Sequence, residues 1–252
     1  MLRVIAIDGP AASGKSSTAG RVAAQLGWAH LDSGALYRAL TLAALDNLGE
    51  SSPPDPLSVP ERGDREGRRP PEKWPARRIV ALAESLPVRL VLVSDEFRPE
   101  VAGVDVEEAI RSERVTRHVS ALDAIPEVRT WVNTRQRQAV EGLQGGGGVG
   151  GVVVDGRDIG TVVFPEAPLK IFLTATPDER ARRRLSQRGQ PVDVDLVRRE
   201  SQALAARDAA DSTRPVAPLK PAADAVLLDT TALTLKQQVA RVVELARGLF
   251  PG

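Results

Sequence analysis

Residues 9–16 read Gly-Pro-Ala-Ala-Ser-Gly-Lys-Ser and match the pattern G-x-x-x-x-G-K-[ST]. A short apolar, β-branched run at residues 2–8 precedes the motif, and an amphipathic stretch at 16–26 follows it and ends at Gly27. The first neighbour predicts a buried strand and the second predicts a helix. A strand before the motif and a helix after it are the context in which this loop binds phosphate.

The motif carries specific chemistry. Its glycines allow successive backbone N–H groups to turn inward around phosphate oxygens, and the next helix directs its positive end to the same place. Lys15 is expected to reach the β- and γ-phosphates, and the Ser16 hydroxyl to bind Mg²⁺. The predicted contacts of the ATP phosphates are Gly9, Pro10, Ala11, Ala12, Ser13, Gly14, Lys15, Ser16 and Ser17.

The rest of the chain alternates short apolar strands with helices, which predicts a parallel sheet covered by helices on both faces. A hairpin is expected between 88–94 and 101–106. The segments 1–50 and 119–252 are expected to form the core domain, with 51–118 inserted into it. The further predicted strands are 152–155, 169–173 and 226–229. Helices are expected at 35–48, from near 176 and at 235–249, and helical structure is expected over roughly 107–143.

Composition excludes several classes of protein. The 34 basic and 33 acidic residues nearly cancel, so no bulk field draws nucleic acid or a membrane. Cysteine is absent, and no apolar run reaches membrane-spanning length. The start of the sequence lacks the layout of a signal peptide, so a cytoplasmic protein is expected. The proline-rich stretch 51–75 is interpreted as a linker or surface segment, and 145–151 as a flexible glycine connection.

The loop alone leaves motors, switches, ATP hydrolases and small-molecule kinases open. No Asn-Lys-x-Asp guanine reader of the kind found in GTPases is present. A kinase of nucleoside monophosphates needs no general base, because its nucleophile is an already anionic phosphate oxygen. Such an enzyme needs arginines that hold two charged phosphate groups in line. The arginine-bearing stretches outside the loop are therefore the informative ones.

Three of these stretches resemble signatures of the bacterial cytidylate kinases. They are Asp-Ser-Gly-Ala-Leu-Tyr-Arg at 32–38, Asp-Gly-Arg-Asp-Ile-Gly-Thr-Val-Val-Phe-Pro at 155–165, and Arg207, Asp211 and Arg214 followed by Pro-Val-Ala-Pro-Leu at 215–219. With the phosphate loop they span almost the whole chain in the family's order. The resemblance implies the phosphate-loop nucleoside monophosphate kinase fold: an α/β parallel sheet flanked by helices, with an inserted acceptor-binding domain and a helical lid near 176–195.

The resemblance also implies roles for residues on the acceptor side. Ser33, Arg38 and Arg157 match positions that hold the acceptor phosphate and its surroundings. Cytosine recognition is implied for Ser120, Arg129 and Asp158, and ribose contact for Arg207 and Asp211. Arg214 is implied to reach the phosphates.

Transfer itself is assigned to cationic side chains. Some lid arginines should close over the triphosphate and exclude water. The predicted catalytic set is Lys15, Arg157, Arg214, Arg184 and Arg188, and the predicted metal set is Ser16, with Asp155 acting through water.

Plain structural interpretations stand beside these assignments. Arg207 and Asp211 are four residues apart and also fit a surface ion pair on a helix. Asp155 also fits a cap of the turn after its strand, and Arg157 beside Asp158 fits a solvated loop. His30 and His118 are interpreted as packing or surface residues rather than catalysts.

The sequence therefore predicts a monomeric kinase that moves the γ-phosphoryl group of ATP to CMP or dCMP with Mg²⁺, without nucleic-acid or membrane partners. The rival hypotheses are a kinase of another monophosphate such as UMP, and a nucleotide-binding switch without transfer activity.

Overall fold

The computed structural model describes residues 3–49, 74–143 and 149–251. The strands are β1 (Arg3–Asp8), β2 (Ala29–Asp32), β3 (Val88–Val93), β4 (Glu96–Val101), β5 (Val104–Asp105), β6 (Gly151–Gly156), β7 (Leu169–Thr174) and β8 (Val226–Asp229). The helices are α1 (Lys15–Leu26), α2 (Ser33–Leu48), α3 (Ala76–Ser85), α4 (Glu113–Asp123), α5 (Pro126–Gly142), α6 (Pro177–Gln187), α7 (Val194–Ser212) and α8 (Leu235–Leu249). A 3₁₀ turn at Ala109–Arg111 and a π-helical turn at Ile159–Val163 complete the regular structure.

The described residues divide into two compact units. The first unit comprises Met1–Ser33, Leu92–Phe97 and Gln136–Gly252, and the second comprises Gly34–Val91 and Arg98–Arg135. These bounds differ from the expected insertion of 51–118, because α2 after Ser33, the whole of α4 and the first part of α5 belong to the second unit.

The first unit is built on a parallel sheet in the order β4-β2-β6-β1-β7-β8. The two central strands are paired in register over six residues, from Arg3 opposite Gly151 to Asp8 opposite Gly156. All six residues of β6 are buried, as expected for a parallel strand covered on both faces. The parallel α/β architecture predicted from the sequence is confirmed.

Side-chain alternation explains how this sheet meets its helices. In β1, Ile5 and Ile7 share one face and pack with α1 and α8 in a core that also contains Leu173. The neighbouring positions Val4 and Ala6 are buried on the other face. The loop after β1 therefore leaves a rigid, fully packed strand.

The second unit has its own core, in which α2, α3, α4 and α5 contribute apolar side chains around Leu36, Leu40, Ile79 and Leu122. Helix α3 was not predicted. The expected pairing of 101–106 with 88–94 is wrong, because β4 is the neighbour of β3 and the short β5 pairs with β4. Two tight turns explain the difference, since Ser94 and Asp95 both have positive φ and so do Ala102 and Gly103.

The segment 51–75, predicted to be a linker or surface segment, lies almost entirely outside the described residues. Residues 145–148 of the predicted glycine connection lie wholly outside them. Gly151, expected in the flexible connection, is instead the first residue of β6. Across the described parts of the chain, none of the helices combines the length and hydrophobicity needed to cross a membrane.

Gly151 gives a test of the packing at the start of β6. A Cβ at this position would lie 2.6 Å from the Trp28 ring and 2.7 Å from the carbonyl oxygen of Arg3. Gly151→Ala should lower the free energy of unfolding by about 1–3 kcal/mol through overpacking, measured by urea denaturation. Gly248→Ala in α8, where a Cβ meets nothing within 4 Å, is the control and should leave stability unchanged or raise it by up to about 1 kcal/mol. Equal stability of Gly151→Ala and the native protein would contradict this packing.

Candidate active site

The loop between β1 and α1 has the backbone that its glycines predicted. Gly9 has φ 149°, and a Cβ there would overlap the carbonyl oxygen of Leu173 on the neighbouring strand. Ala12 and Gly14 also have positive φ, at 59° and 93°. When residues with positive φ alternate with residues with negative φ, the backbone N–H groups of a loop point into a concavity that binds anions.

The N-terminus of α1 is arranged to receive an anion from outside the helix. Gly14 is its N-cap and makes no side-chain cap, and the first turn contains no acidic residue. Among the residues that the structure describes, the Ser13 hydroxyl is fully buried and has no hydrogen-bond partner. Exposed helix N–H groups, the helix dipole and an unsatisfied hydroxyl fit a bound phosphate.

Lys15 is buried, and its Nζ donates to the carbonyl oxygen of Pro10 at 2.6 Å. Burial lowers the pKa of Lys15 to about 7; the charge of Arg157 also lowers it, against Asp155, Asp8 and Asp208. Arg157 follows β6, which pairs in register with β1, so a second cation lies near the loop. Anionic phosphates at this position would relieve the repulsion between the two cations.

The predicted metal ligands lie in direct contact. The Ser16 hydroxyl donates to Oδ2 of Asp155 at 2.6 Å, and Nε2 of His30 lies 2.8 Å from Oδ1 of the same carboxylate. Burial alone lowers the pKa of His30, but the hydrogen bond and charge of Asp155, with the charges of Asp32 and Glu96, outweigh it and raise the pKa.

A hydroxyl and a carboxylate are oxygen donors of the kind that Mg²⁺ takes, so the residues fit this ion. Within the described ranges no group of three or more His, Asp or Glu side chains is placed to hold a metal alone.

The loop after β6 is fixed by Asp8, the last residue of β1. Its two carboxylate oxygens accept hydrogen bonds from the backbone N–H groups of Ile159 and Gly160, both at 2.8 Å. Burial raises the pKa of Asp8 to about 6, opposed by these two hydrogen bonds and by the charge of Lys15, while the charge of Asp158 adds to the rise. Asp8 thus anchors the turn that carries Arg157 and Asp158.

An ion-pair cluster lies beside that turn. Nε of Arg157 donates to Oδ2 of Asp211, and Nη1 of Arg214 lies 3.9 Å from Oδ1 of the same carboxylate. Asp211 is 6% exposed, so the interpretation of this residue as part of a solvated surface pair is wrong. Gly156 packs so tightly against Ser33 that a Cβ would overlap the serine hydroxyl. The first unit therefore brings Ser33, Arg157, Asp211 and Arg214 to one end of β6.

The arginines of the expected lid have different roles. Nη1 of Arg180 donates to the carbonyl oxygen of Ala11 at 3.1 Å and to Asp208, whose other oxygen accepts from the Ala11 N–H at 3.1 Å. Arg183 donates to the carbonyl oxygen of Thr230 at 2.6 Å. These side chains support the phosphate loop from outside.

Arg184 and Arg188, the two lid arginines predicted to act in catalysis, differ from each other as well. Nε of Arg184 is buried and has no hydrogen-bond partner among the described atoms. Burial lowers the pKa of Arg184; the charges of Arg188 and Arg157 lower it further, against that of Glu200. Arg188 lies 3.1 Å from Glu200 in an exposed ion pair.

Three predicted acceptor residues belong to the second unit. Arg38 donates to Thr116 Oγ1 at 3.0 Å and to the carbonyl oxygen of Ile110 at 3.2 Å. Arg129 is 3% exposed, donates to the carboxylate of Asp123, and lies 5.6 Å from the centroid of the Tyr37 ring. Ser120 is an exposed residue of α4.

Three residues at the first-unit site were not assigned roles from the sequence. Asp8 and Asp208 gave no signal, because their partners are 151 and 197 residues away. His30 was interpreted as packing or surface, but it contacts a predicted metal ligand. Its place in a chain segment two residues before the motif at 32–38 was the only available hint.

Asp8 gives a prediction of pH dependence. Because its pKa is raised to about 6 in the folded protein, folding takes up a proton between pH 4 and 6. This contribution to stability is complete below the unfolded pKa and is lost as pH rises through about 6. The difference in unfolding free energy between the native protein and Asp8→Asn should fall by up to about 3 kcal/mol from pH 4 to 7. Urea denaturation across this range measures it, and a flat difference would contradict the raised pKa.

Comparisons with known proteins place the chain in a family. The sequence profile described as cytidylate kinase matches residues 5–248. The chain is 42% identical to the cytidylate kinase of Mycobacterium leprae over 97% of its own length and 95% of the relative's. It is 42% identical to that of Streptomyces griseus, covering 97% and 93%, and 40% identical to that of Streptococcus pneumoniae, covering 94% of each. The chain therefore belongs to the cytidylate kinase family.

Proposed function

We propose that this enzyme transfers the γ-phosphoryl group of ATP to CMP or dCMP, giving ADP and CDP or dCDP. The observation that carries the proposal is the second cationic group beside the phosphate loop. Arg157 pairs with Asp211 and directly follows β6, whose last residue lies opposite the last residue of β1, the strand that leads into the phosphate loop. A hydrolase needs one phosphate site, whereas a second cationic site suits an acceptor that brings a phosphate of its own.

The chemistry follows from charge rather than from proton transfer. The acceptor phosphate oxygen is anionic and attacks without a general base, so the barrier is dominated by repulsion between two anions. Lys15, Arg157 and Arg214 offset that repulsion where charge develops. Ser16, and Asp155 through water, would hold Mg²⁺, whose charge would offset that of the donor phosphates. Arg184 and Arg188 complete the set by closing over the triphosphate.

The acceptor residues are proposed from the family's pattern together with their surroundings. Ser33, Arg38 and Arg157 hold the CMP phosphate and its neighbourhood. Arg207 and Asp211 contact the ribose hydroxyls. Ser120, Arg129 and Asp158 contact the cytosine edge, which offers one amino donor and two acceptors. Such a site rejects bases that leave its own buried groups unpaired.

The second unit is the proposed acceptor-binding domain, although its bounds differ from the expected 51–118. Its apolar core is built from its own helices. We further propose that the enzyme acts as a monomer, because one chain supplies every group that the reaction requires. The proposed location is the cytoplasm, as expected from the sequence.

A coupled assay of ADP release tests the function. The protein is incubated with Mg-ATP and with CMP, dCMP, UMP, AMP or GMP in turn. CMP and dCMP should stimulate ADP release strongly. Stimulation by none of the acceptors would support a non-catalytic switch and overturn the proposal. Preference for UMP, AMP or GMP would overturn the assignment of the base.

Arg129 is the sharpest test of base recognition. Arg129→Met removes hydrogen bonds to the base and should raise KM for CMP at least about tenfold while leaving KM for ATP unchanged. Arg135→Met, an exposed arginine on the same helix, is the matched control and should change neither constant. An equal rise in both KM values would contradict the assigned role of Arg129.

Lys15 separates binding from transfer. Lys15→Ala removes the charge over the transferred phosphate and should lower kcat by at least about a thousandfold. CMP binding, measured by calorimetry without ATP, should stay within about threefold of the native value, because Lys15 is assigned to the ATP phosphates and not to CMP. A threefold change in affinity corresponds to less than about 1 kcal/mol. Retention of substantial turnover in this variant would contradict the role of the lysine.

A further inference from the structure

His30 occupies a position that the proposed reaction has not yet used. It lies on β2, and its partner on β6 is Val153. Val153 precedes Asp155 by two residues on that strand. Because alternate residues of a strand point to the same face, the imidazole and the Asp155 carboxylate share one side of the sheet. The imidazole is thereby held next to a carboxylate whose other oxygen faces α1.

Three side chains from three elements form a continuous hydrogen-bonded chain. Nε2 of His30 lies 2.8 Å from Oδ1 of Asp155, and Oδ2 of Asp155 accepts from the Ser16 hydroxyl at 2.6 Å. The side chain of Asp155 is 3% exposed and that of His30 is 13% exposed. The carboxylate oxygen is the acceptor in this contact, and the imidazole tautomer with its proton on Nε2 is the one that donates to it.

We propose that His30 is a positioning residue for the Mg²⁺ site, acting by fixing the orientation of the Asp155 carboxylate toward Ser16. The inference rests on the Mg²⁺ site of the proposed function. A carboxylate held at only one oxygen turns about its Cβ–Cγ bond, whereas donors at both oxygens fix its plane. His30 also removes the desolvation penalty of a buried oxygen that would otherwise lack a donor.

The expected size of the effect comes from metal sites in general. Partners that orient a metal ligand typically change metal affinity by about 10- to 100-fold when they are lost. A histidine that only filled space would produce no such change once its volume was replaced. The presence or absence of an N–H donor at this position therefore distinguishes the two roles.

Three variants make that distinction. His30→Leu keeps most of the volume and removes the donor, and His30→Met does the same with a flexible chain if the first variant is unstable. His30→Gln carries an amide N–H at a similar distance from the backbone and should restore the contact. His118→Leu is the matched control, since the chain has two histidines and His118 bonds to the carbonyl oxygen of Arg114 in the second unit.

The measurement is the binding of Mn²⁺, as a spectroscopic substitute for Mg²⁺, to the full-length protein with ADP. Electron paramagnetic resonance reports the free ion directly, without turnover. His30→Leu should weaken protein-dependent Mn²⁺ binding about tenfold or more, and His30→Gln should stay within about threefold of the native protein. Binding of metal-free ADP, measured by calorimetry in EDTA, should be the same in all of them.

Each outcome decides between the roles. Native Mn²⁺ affinity in His30→Leu, or equal losses in His30→Leu and His30→Gln, would overturn the positioning role and leave the metal site standing. A parallel loss of metal-free ADP binding would also overturn it. If the native protein adds nothing to the Mn²⁺ binding of ADP alone, the proposed Mg²⁺ site itself fails, and this inference fails with it. CMP-stimulated ADP release remains the separate test of the kinase.

Discussion

Strands β1 and β6 run parallel and in register, so the loops that follow Asp8 and Gly156 leave the sheet at the same edge. In open parallel sheets this carboxyl edge is where ligands bind. Asp8 strengthens the arrangement, because its carboxylate binds two N–H groups of the β6 loop while its own strand continues into the phosphate loop. One side chain therefore holds the turn that carries Arg157 next to the strand that leads into the phosphate loop.

The site concentrates charge in a buried environment, and the carboxylates balance it. Asp155, Asp208 and Asp211 each contact a cation or donor around the loop. The balance is incomplete at Lys15, whose pKa is lowered to about 7, and at Asp8, whose pKa is raised to about 6. Both shifts mean that the charged form of the side chain is less stable in the folded protein than in the unfolded chain. These two charges therefore make folding less favourable. Such local cost is common where a protein holds charges ready for a substrate.

Several regular elements were predictable because their sequence signals are local. Helix α8 has the predicted bounds, and β7 and β8 match their apolar runs closely. Strand β2 was missed because Ala29–Asp32 is four residues long and half polar. Strand β4 was missed because its sequence, Glu-Phe-Arg-Pro-Glu-Val, contains a proline and three charged residues.

The contacts that assemble the site could not be read from the sequence, because their partners are distant along the chain. The link from His30 to Asp155 crosses 125 residues and the link from Ala11 to Asp208 crosses 197. Family signatures supplied the identities of Ser33, Arg157 and Asp211. They did not indicate which neighbours hold those residues, since a motif records residue types and not their surroundings.

The run of arginines in α6 can be interpreted only once it is known which of them lie on the solvent side of the helix. Residues 178, 182 and 186 are exposed and four apart, so they mark the solvent side of the helix. Arg180, Arg183 and Arg184 lie on the opposite side, and the first two are committed to the phosphate loop and to Thr230. A solvated basic face therefore accounts for Arg182 but not for its neighbours. Helical periodicity applied to the buried Ala181 and Leu185 separates the two sets, and it leaves Arg184 as the inward arginine whose Nε has no hydrogen-bond partner among the described residues.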